Sequence, residues 1–301
     1  MTSPPFLRPG DTIGIVAPAS PCPYAELLPA LDLLRNQWHL NVIEGQTLHA
    51  NYGAFAGPDD LRRADLQTML DDPDIQAIWC SRGGYGSYRI VDDLDFSGFL
   101  AHPKWLIGFS DITVLLNHTA RLEVQSLHAI MPRQLRNTGY DDSLETLRQW
   151  LFGEIPTHYT VPAHPLNRPG SATGTLLGGN LTMIGTALGT KSEPDWRGSI
   201  LFLEDVDETL FSLDRMMTQL RRTGVLAQLN GLIVGQFSDM RDNLGMPFGQ
   251  SAQEIIAYAV RDYAYPVCFD FPTGHVERNL TLPVGRTVEL AVRAEQVMLE
   301  F

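Results

Sequence analysis

Three short segments hold residue types that could do nucleophilic chemistry. The sharpest is Trp105-Leu-Ile-Gly-Phe-Ser110-Asp111-Ile-Thr-Val-Leu-Leu. Its apolar run reads as a buried strand, and a serine that at once opens a helix stands at the sheet's carboxyl edge. There the N–H groups and the positive dipole end of the helix face it. This is the geometry of a nucleophile elbow, in which the next residue's N–H can hold an oxyanion. The same residues would also make an ordinary helix start, because serine is a favoured N-cap. The pattern is not G-x-S-x-G, since Ile112 stands in the last glycine's place, and this counts against an α/β-hydrolase.

A serine needs a base. Of the eight histidines, His275 has the best setting, in Pro272-Thr-Gly-His-Val-Glu-Arg-Asn-Leu after the strand Cys268-Phe-Asp-Phe. Loops at a strand's carboxyl edge host catalytic groups in open α/β sheets. His118 points with Leu115 and Leu122 and reads as packed, while His128, near a strand end, is the reserve candidate. The orienting acid is sought in Leu201-Phe-Leu-Glu204-Asp205-Val-Asp207-Glu208. A carboxylate at a strand end suits that role, although so many acids together also describe a solvated loop or a metal site. Glu204 and Asp205 point to opposite sides of an extended chain, so one of the two could face the site. Finally, Ser81-Arg82-Gly83-Gly84-Tyr85-Gly86 follows the strand ending at Cys80, as either a tight turn or a loop of N–H donors beside Ser110.

The elements that must position these groups alternate along the first half. Strands are predicted at 12–17, 41–43, 75–80 and 105–109, with helices at the Leu27–Leu34 repeat, after Asp59/Asp60 and over 112–122. Pro29 predicts a late start for the first of these helices. Such alternation predicts a parallel sheet covered on both faces. Residues 153–172, rich in proline, read as a linker between domains at 1–152 and 173–301. Beyond it, helices are expected at 180–188, 210–222 and 250–262, with strands between them and a hairpin from Thr287 to Phe301. The whole is two mixed α/β domains, matching the prior of about two for 301 residues.

Composition narrows the partners. Lys+Arg 22 against Asp+Glu 35 gives a net charge of −13, which argues against nucleic acid. Three separated cysteines with no C-x-x-C give neither a zinc knuckle nor a disulfide framework. No stretch approaches the roughly 20 apolar residues of a membrane span. With no signal-peptide pattern at the start, a cytoplasmic location is expected.

Taken together, these segments resemble the LD-carboxypeptidase family, serine peptidases that include the microcin immunity peptidases. The matching pieces are Arg8-Pro-Gly-Asp-Thr-Ile-Gly-Ile-Val-Ala-Pro-Ala-Ser, Arg82-Gly-Gly-Tyr-Gly, Gly108-Phe-Ser-Asp, Leu177-Gly-Gly-Asn-Leu, Leu203-Glu-Asp and Gly274-His-Val-Glu-Arg-Asn-Leu-Thr-Leu-Pro-Val-Gly. They run in the family's order nearly end to end. The resemblance implies a triad of Ser110 as nucleophile, Glu204 as orienter and His275 as base, with oxyanion donors at the N–H groups of Gly84 and Asp111. It also implies a flavodoxin-like (class I glutamine amidotransferase-like) N-terminal domain, a smaller mixed α/β C-terminal domain and a homodimer. The implied activity is release of the terminal D-alanine from murein tetrapeptides in cell-wall recycling, with no metal or cofactor and a muropeptide as partner. A carboxypeptidase must also bind the substrate's terminal carboxylate, and Arg82 is one candidate. The alternatives are an immunity-type peptidase hydrolysing aminoacyl-nucleotide conjugates and a binding protein in which Ser110 is only a cap. A conjugate hydrolase would need an aromatic residue to stack the base, and Trp196 is the available one.

Overall fold

Short, almost wholly apolar runs dominate the first half, and they become buried parallel strands. The computed structural model describes residues 1–301. Strands β1 (Thr12–Val16), β2 (Asn41–Glu44), β3 (Ile75–Cys80), β4 (Trp105–Gly108) and β5 (Ser126–His128) lie in the order β2-β1-β3-β4-β5, all parallel. Their crossovers hold α1 (Leu28–Asp32), α2 (Asp59–Asp71), α3 (Ser97–Ala101) and α4 (Thr113–Arg121), and α5 (Asp141–Phe152) follows β5. Pro29 does not delay α1: it sits in the first turn, where the missing N–H would have had no partner. Asp59 and Asp60 lie inside the first turn of α2 after an N-cap at Pro58, where their charge meets the helix dipole. One face of the sheet packs Trp38, Trp79, Trp105 and Trp150 into a separate core.

The second half builds a seven-stranded mixed sheet in the order β10-β9-β8-β7-β12-β13-β6. Its members are β6 (His158–Pro162), β7 (Gly170–Asn180), β8 (Ile200–Val206), β9 (Gly231–Ser238), β10 (Val267–Cys268), β12 (Thr287–Val292) and β13 (Gln296–Glu300). Strand β7 pairs antiparallel with β12 through its first half and parallel with β8 through its second. Helices α6 (Leu181–Ala187), α7 (Leu210–Arg222), α8 (Val225–Gln228) and α9 (Ala252–Ala259) complete the layer. The stretch 153–172 is more than a connection. Its alternating burial makes β6, which pairs with β13 at the sheet's edge, where a proline need not donate to a neighbour.

Two features lock the halves together. Strand β11 (Leu282–Val284) leaves the second half and pairs antiparallel with β5 in the first sheet. Helix α4 lies against β7: Asn117 Nδ2 donates to Gly178 O at 2.9 Å, and Gly178 N donates back to Asn117 Oδ1 at 3.3 Å. Thr113 Oγ1 accepts from Asn180 N at 3.1 Å. One buried core runs without a break from Leu106 and Leu115 to Leu177 and Phe202. All three cysteines are buried and free. No helix is long and apolar enough to cross a membrane.

Candidate active site

The loops leaving the carboxyl ends of β3, β4 and β5 and those leaving β8 and β10 enclose a cavity of about 470 Å³. Arg82, Gly83, Gly84, Ser110, Arg133, Asp207 and His275 are among its lining residues. Ser110 and His275 thus share one cleft, although no hydrogen bond joins them. Resting active sites commonly hold such pairs apart until substrate closes them.

Ser110 follows the last residues of β4 with φ of +62°, a left-handed conformation that a non-glycine residue adopts at a cost of roughly 1–3 kcal/mol. Its side chain caps neither the short turn 110–112 nor α4. The plain N-cap reading therefore fails, and Ser110 instead lines the cleft.

The glycine loop is shaped by side chains that engage its other amides. Ser20 Oγ accepts from Tyr85 N at 3.1 Å, and the buried Asp111 carboxylate accepts from Ser87 N at 2.8 Å and Gly86 N at 3.3 Å. Gly84 N donates to nothing in the protein, and neither does Asp111 N, so both remain available to a ligand's oxyanion. Gly84 has φ of +101°, and any Cβ there would collide with Ser20 Oγ. A Cβ on Gly83 would lie 2.9 Å from Ser110 Cβ and 3.0 Å from its Oγ. Gly83→Ala is therefore expected to leave the fold intact but displace the serine, lowering kcat/KM on the order of 100-fold, as small misplacements do. Steady-state kinetics beside a melting curve would check this, and unchanged turnover would contradict it.

His275 is held from the other half. Its Nδ1 lies 2.7 Å from Glu204 Oε2. A carboxylate can only accept, so Nδ1 carries the proton and Nε2 is left with its lone pair free. Burial disfavours both charges, but each partner offsets it for the other: Glu204 is held below its usual range and His275 above its own. The loop is braced by Asn279 Oδ1, which accepts from Gly274 N at 2.9 Å, and by Ser143 Oγ on α5, which accepts from Asn279 N at 2.7 Å. The Phe109 ring packs 4.8 Å from that of His275.

Asp205 points the other way. It accepts from Asn180 Nδ2 at 2.8 Å, Thr182 N at 3.0 Å and Thr182 Oγ1 at 2.9 Å, tying the start of α6 to β8. Burial, and then the neighbouring Glu204 charge, push its pKa up to about 6. His128, the reserve base, is fully buried between Phe109 and Phe202, and burial pushes it down to about 4. It does not reach the cleft. His118 bonds Ser192 Oγ at 3.0 Å and packs on Phe96. Arg133 escaped the sequence reading, and Asp207 entered it only as one acid of the run 204–208. The only available signal for Arg133 was its place just past β5, at the same sheet edge as Ser110.

Residues 13–129 match the LD-carboxypeptidase N-terminal domain and residues 173–290 the LD-carboxypeptidase C-terminal domain. The chain belongs to the LD-carboxypeptidase family and is a serine-type carboxypeptidase. It is 35% identical over 306 residues to a probable murein peptide carboxypeptidase of Bacillus subtilis, covering 99% of this chain and 94% of that one. A muramoyltetrapeptide carboxypeptidase from Oxalobacter formigenes superimposes with a TM-score of 0.84 at 27% identity, covering 96% of this chain and 97% of that one. The microcin C7 self immunity protein MccF shares the fold, with a TM-score of 0.88 at 21% identity over 100% of this chain and 99% of that one.

Proposed function

We propose that this chain removes the terminal D-alanine of murein tetrapeptides, with Ser110 as nucleophile, His275 as base and Glu204 as its orienter. The observation that carries this reading is the 2.7 Å His275–Glu204 pair, which opens into the same cleft as a serine held at positive φ. His275 Nε2 takes the Ser110 proton as Oγ attacks the carbonyl before the D-residue. The negative charge that develops on the carbonyl oxygen is met by the N–H groups of Gly84 and Asp111. His275 then gives its proton to the leaving amine, and a water activated by the same imidazole hydrolyses the acyl-enzyme.

The likeness to proteins named for murein peptides supports the substrate class. Trp196 weighs against a nucleotide conjugate. It is 3% exposed and donates Nε1 to Glu193, away from the cleft, so it offers no face for stacking a base. The strand order β2-β1-β3-β4-β5 fits a flavodoxin-like N-terminal domain of the amidotransferase type. A cytoplasmic homodimer belongs to the same reading.

The test is a pair of stereoisomers incubated with the protein and weighed by mass spectrometry. D-alanine is expected from the L,D-tetrapeptide, with the all-L peptide spared. Equal cleavage of both would overturn the D-residue assignment. Hydrolysis of an aminoacyl-sulfamoyl-adenosine with no D-alanine release would favour the immunity-type reading.

A further inference from the structure

A serine, a base and an oxyanion site define a hydrolase but do not explain why it would stop at the last residue of a chain. For that the cleft must recognise a terminal carboxylate. Two guanidiniums are placed to do so. Arg82 and Arg133 both line the cleft, and both also line an adjoining cavity of about 660 Å³ that contains no acidic residue. They form the partition between the two spaces.

Neither arginine has a carboxylate to itself. Arg82 has no carboxylate partner, and its one hydrogen bond within the protein runs from Nη1 to Pro21 O at 2.9 Å. Arg133 donates Nε to Glu26 Oε2 at 2.8 Å, and Arg136 pairs with the other oxygen of the same carboxylate. Two guanidiniums, Arg133 and Arg136, thus share Glu26, and Arg82 stands beside them with no carboxylate of its own, in a chain whose net charge is −13. Burial, and then the Arg133 charge, hold Arg82 below its usual range. The only carboxylate lining the cleft is Asp207, on the opposite domain, and it is already paired with Arg241 Nε at 3.1 Å. Glu26 is the one carboxylate paired with this group of arginines, so the protein leaves it short of negative charge.

We propose that Arg82 and Arg133 clamp the α-carboxylate of the leaving D-residue. This rests on the carboxypeptidase reading above and gives it its exopeptidase limit. The placement fits: Arg82 directly precedes Gly83, which backs onto Ser110, so the cations stand beside the proposed oxyanion donors. The carboxylate of a terminal residue lies only two bonds beyond the scissile nitrogen, so its partner must be next to the reacting atoms. Guanidiniums suit it because their fork matches a carboxylate's two oxygens. Arg133 keeps both terminal nitrogens free of protein partners, and Arg82 keeps all but Nη1.

The test compares the L,D-tetrapeptide as its free acid and as its C-terminal amide, in the wild type, Arg133→Gln, Arg82→Gln and Arg82→Lys. The wild type should prefer the acid strongly. Each glutamine variant should raise KM for the acid by roughly 10–100-fold, the range of a charge-assisted contact, while the amide is cleaved as before. Arg82→Lys should restore part of the preference, since it keeps the charge but loses the fork. Arginines that merely brace Pro21 and Glu26 would slow acid and amide equally, and that result would overturn the clamp. A wild type cleaving acid and amide alike would overturn it too, while leaving the hydrolase reading standing. A wild type inactive on both would sink both proposals. If Arg82→Gln fails to fold, Arg133→Gln decides the matter alone.

Discussion

Ser110→Ala is expected to lower kcat/KM toward the L,D-tetrapeptide by about 10⁴–10⁶-fold while the protein melts as before. The hydroxyl caps no helix and makes no internal hydrogen bond, so its loss removes chemistry and little structure. Alanine at φ of +62° keeps the strain that serine already bears, which is why stability should not fall steeply. A variant retaining a tenth of wild-type turnover would reject Ser110 as nucleophile. Some residual catalysis over water is expected from the oxyanion donors and substrate binding, since neither depends on the hydroxyl.

The second large effect belongs to the acid–base pair. His275→Ala should remove nearly all activity, and combining it with Ser110→Ala should add little, because the residues act as a unit. Glu204→Gln preserves the shape but removes the charge that favours imidazolium, and a loss of up to about 10⁴-fold is expected. It should also change the pH profile. The base works only when neutral, so activity falls as pH drops through the His275 pKa. Glu204 holds that pKa above its usual value, and the acid limb of the wild type should therefore lie above an ordinary histidine's. Without the carboxylate the pKa falls, and the limb should move to lower pH. An unmoved limb, or a damaging Asp205→Asn beside a silent Glu204→Gln, would assign the wrong carboxylate.

Much of this was legible in the chain because the signals are local. An apolar run meeting Ser110 at a helix start, a carboxylate at the end of β8 and a glycine-histidine loop after β10 need no knowledge of distant partners. Alternation along a strand told that Glu204 and Asp205 diverge but not which faces inward. The register shift between Leu203 and Asp205, where β8 meets β9, is set by a neighbouring strand and has no mark in the sequence. Proline density hid β6, whose alternating Tyr159 and Val161 give it one buried face at the sheet edge. Leu282-Pro-Val is too short to announce a strand, and it becomes one only by finding β5. The arginine wall is likewise a convergence of loops far apart in the chain.

The loop that carries His275 is anchored at each end to a different sheet, through β10 on one side and β11 on the other. During synthesis, the half bearing Ser110 leaves the ribosome with its sheet still missing the edge strand β11, which residues 282–284 supply late. Contacts between segments so distant in sequence are slow to form, because a long loop must close before any of them is made. A refolding chain should therefore regain helical signal and buried tryptophan before it regains hydrolysis. On the proposed mechanism, Ser110 would stand without its base until β11 docks, so a half-made molecule is expected not to cut peptides.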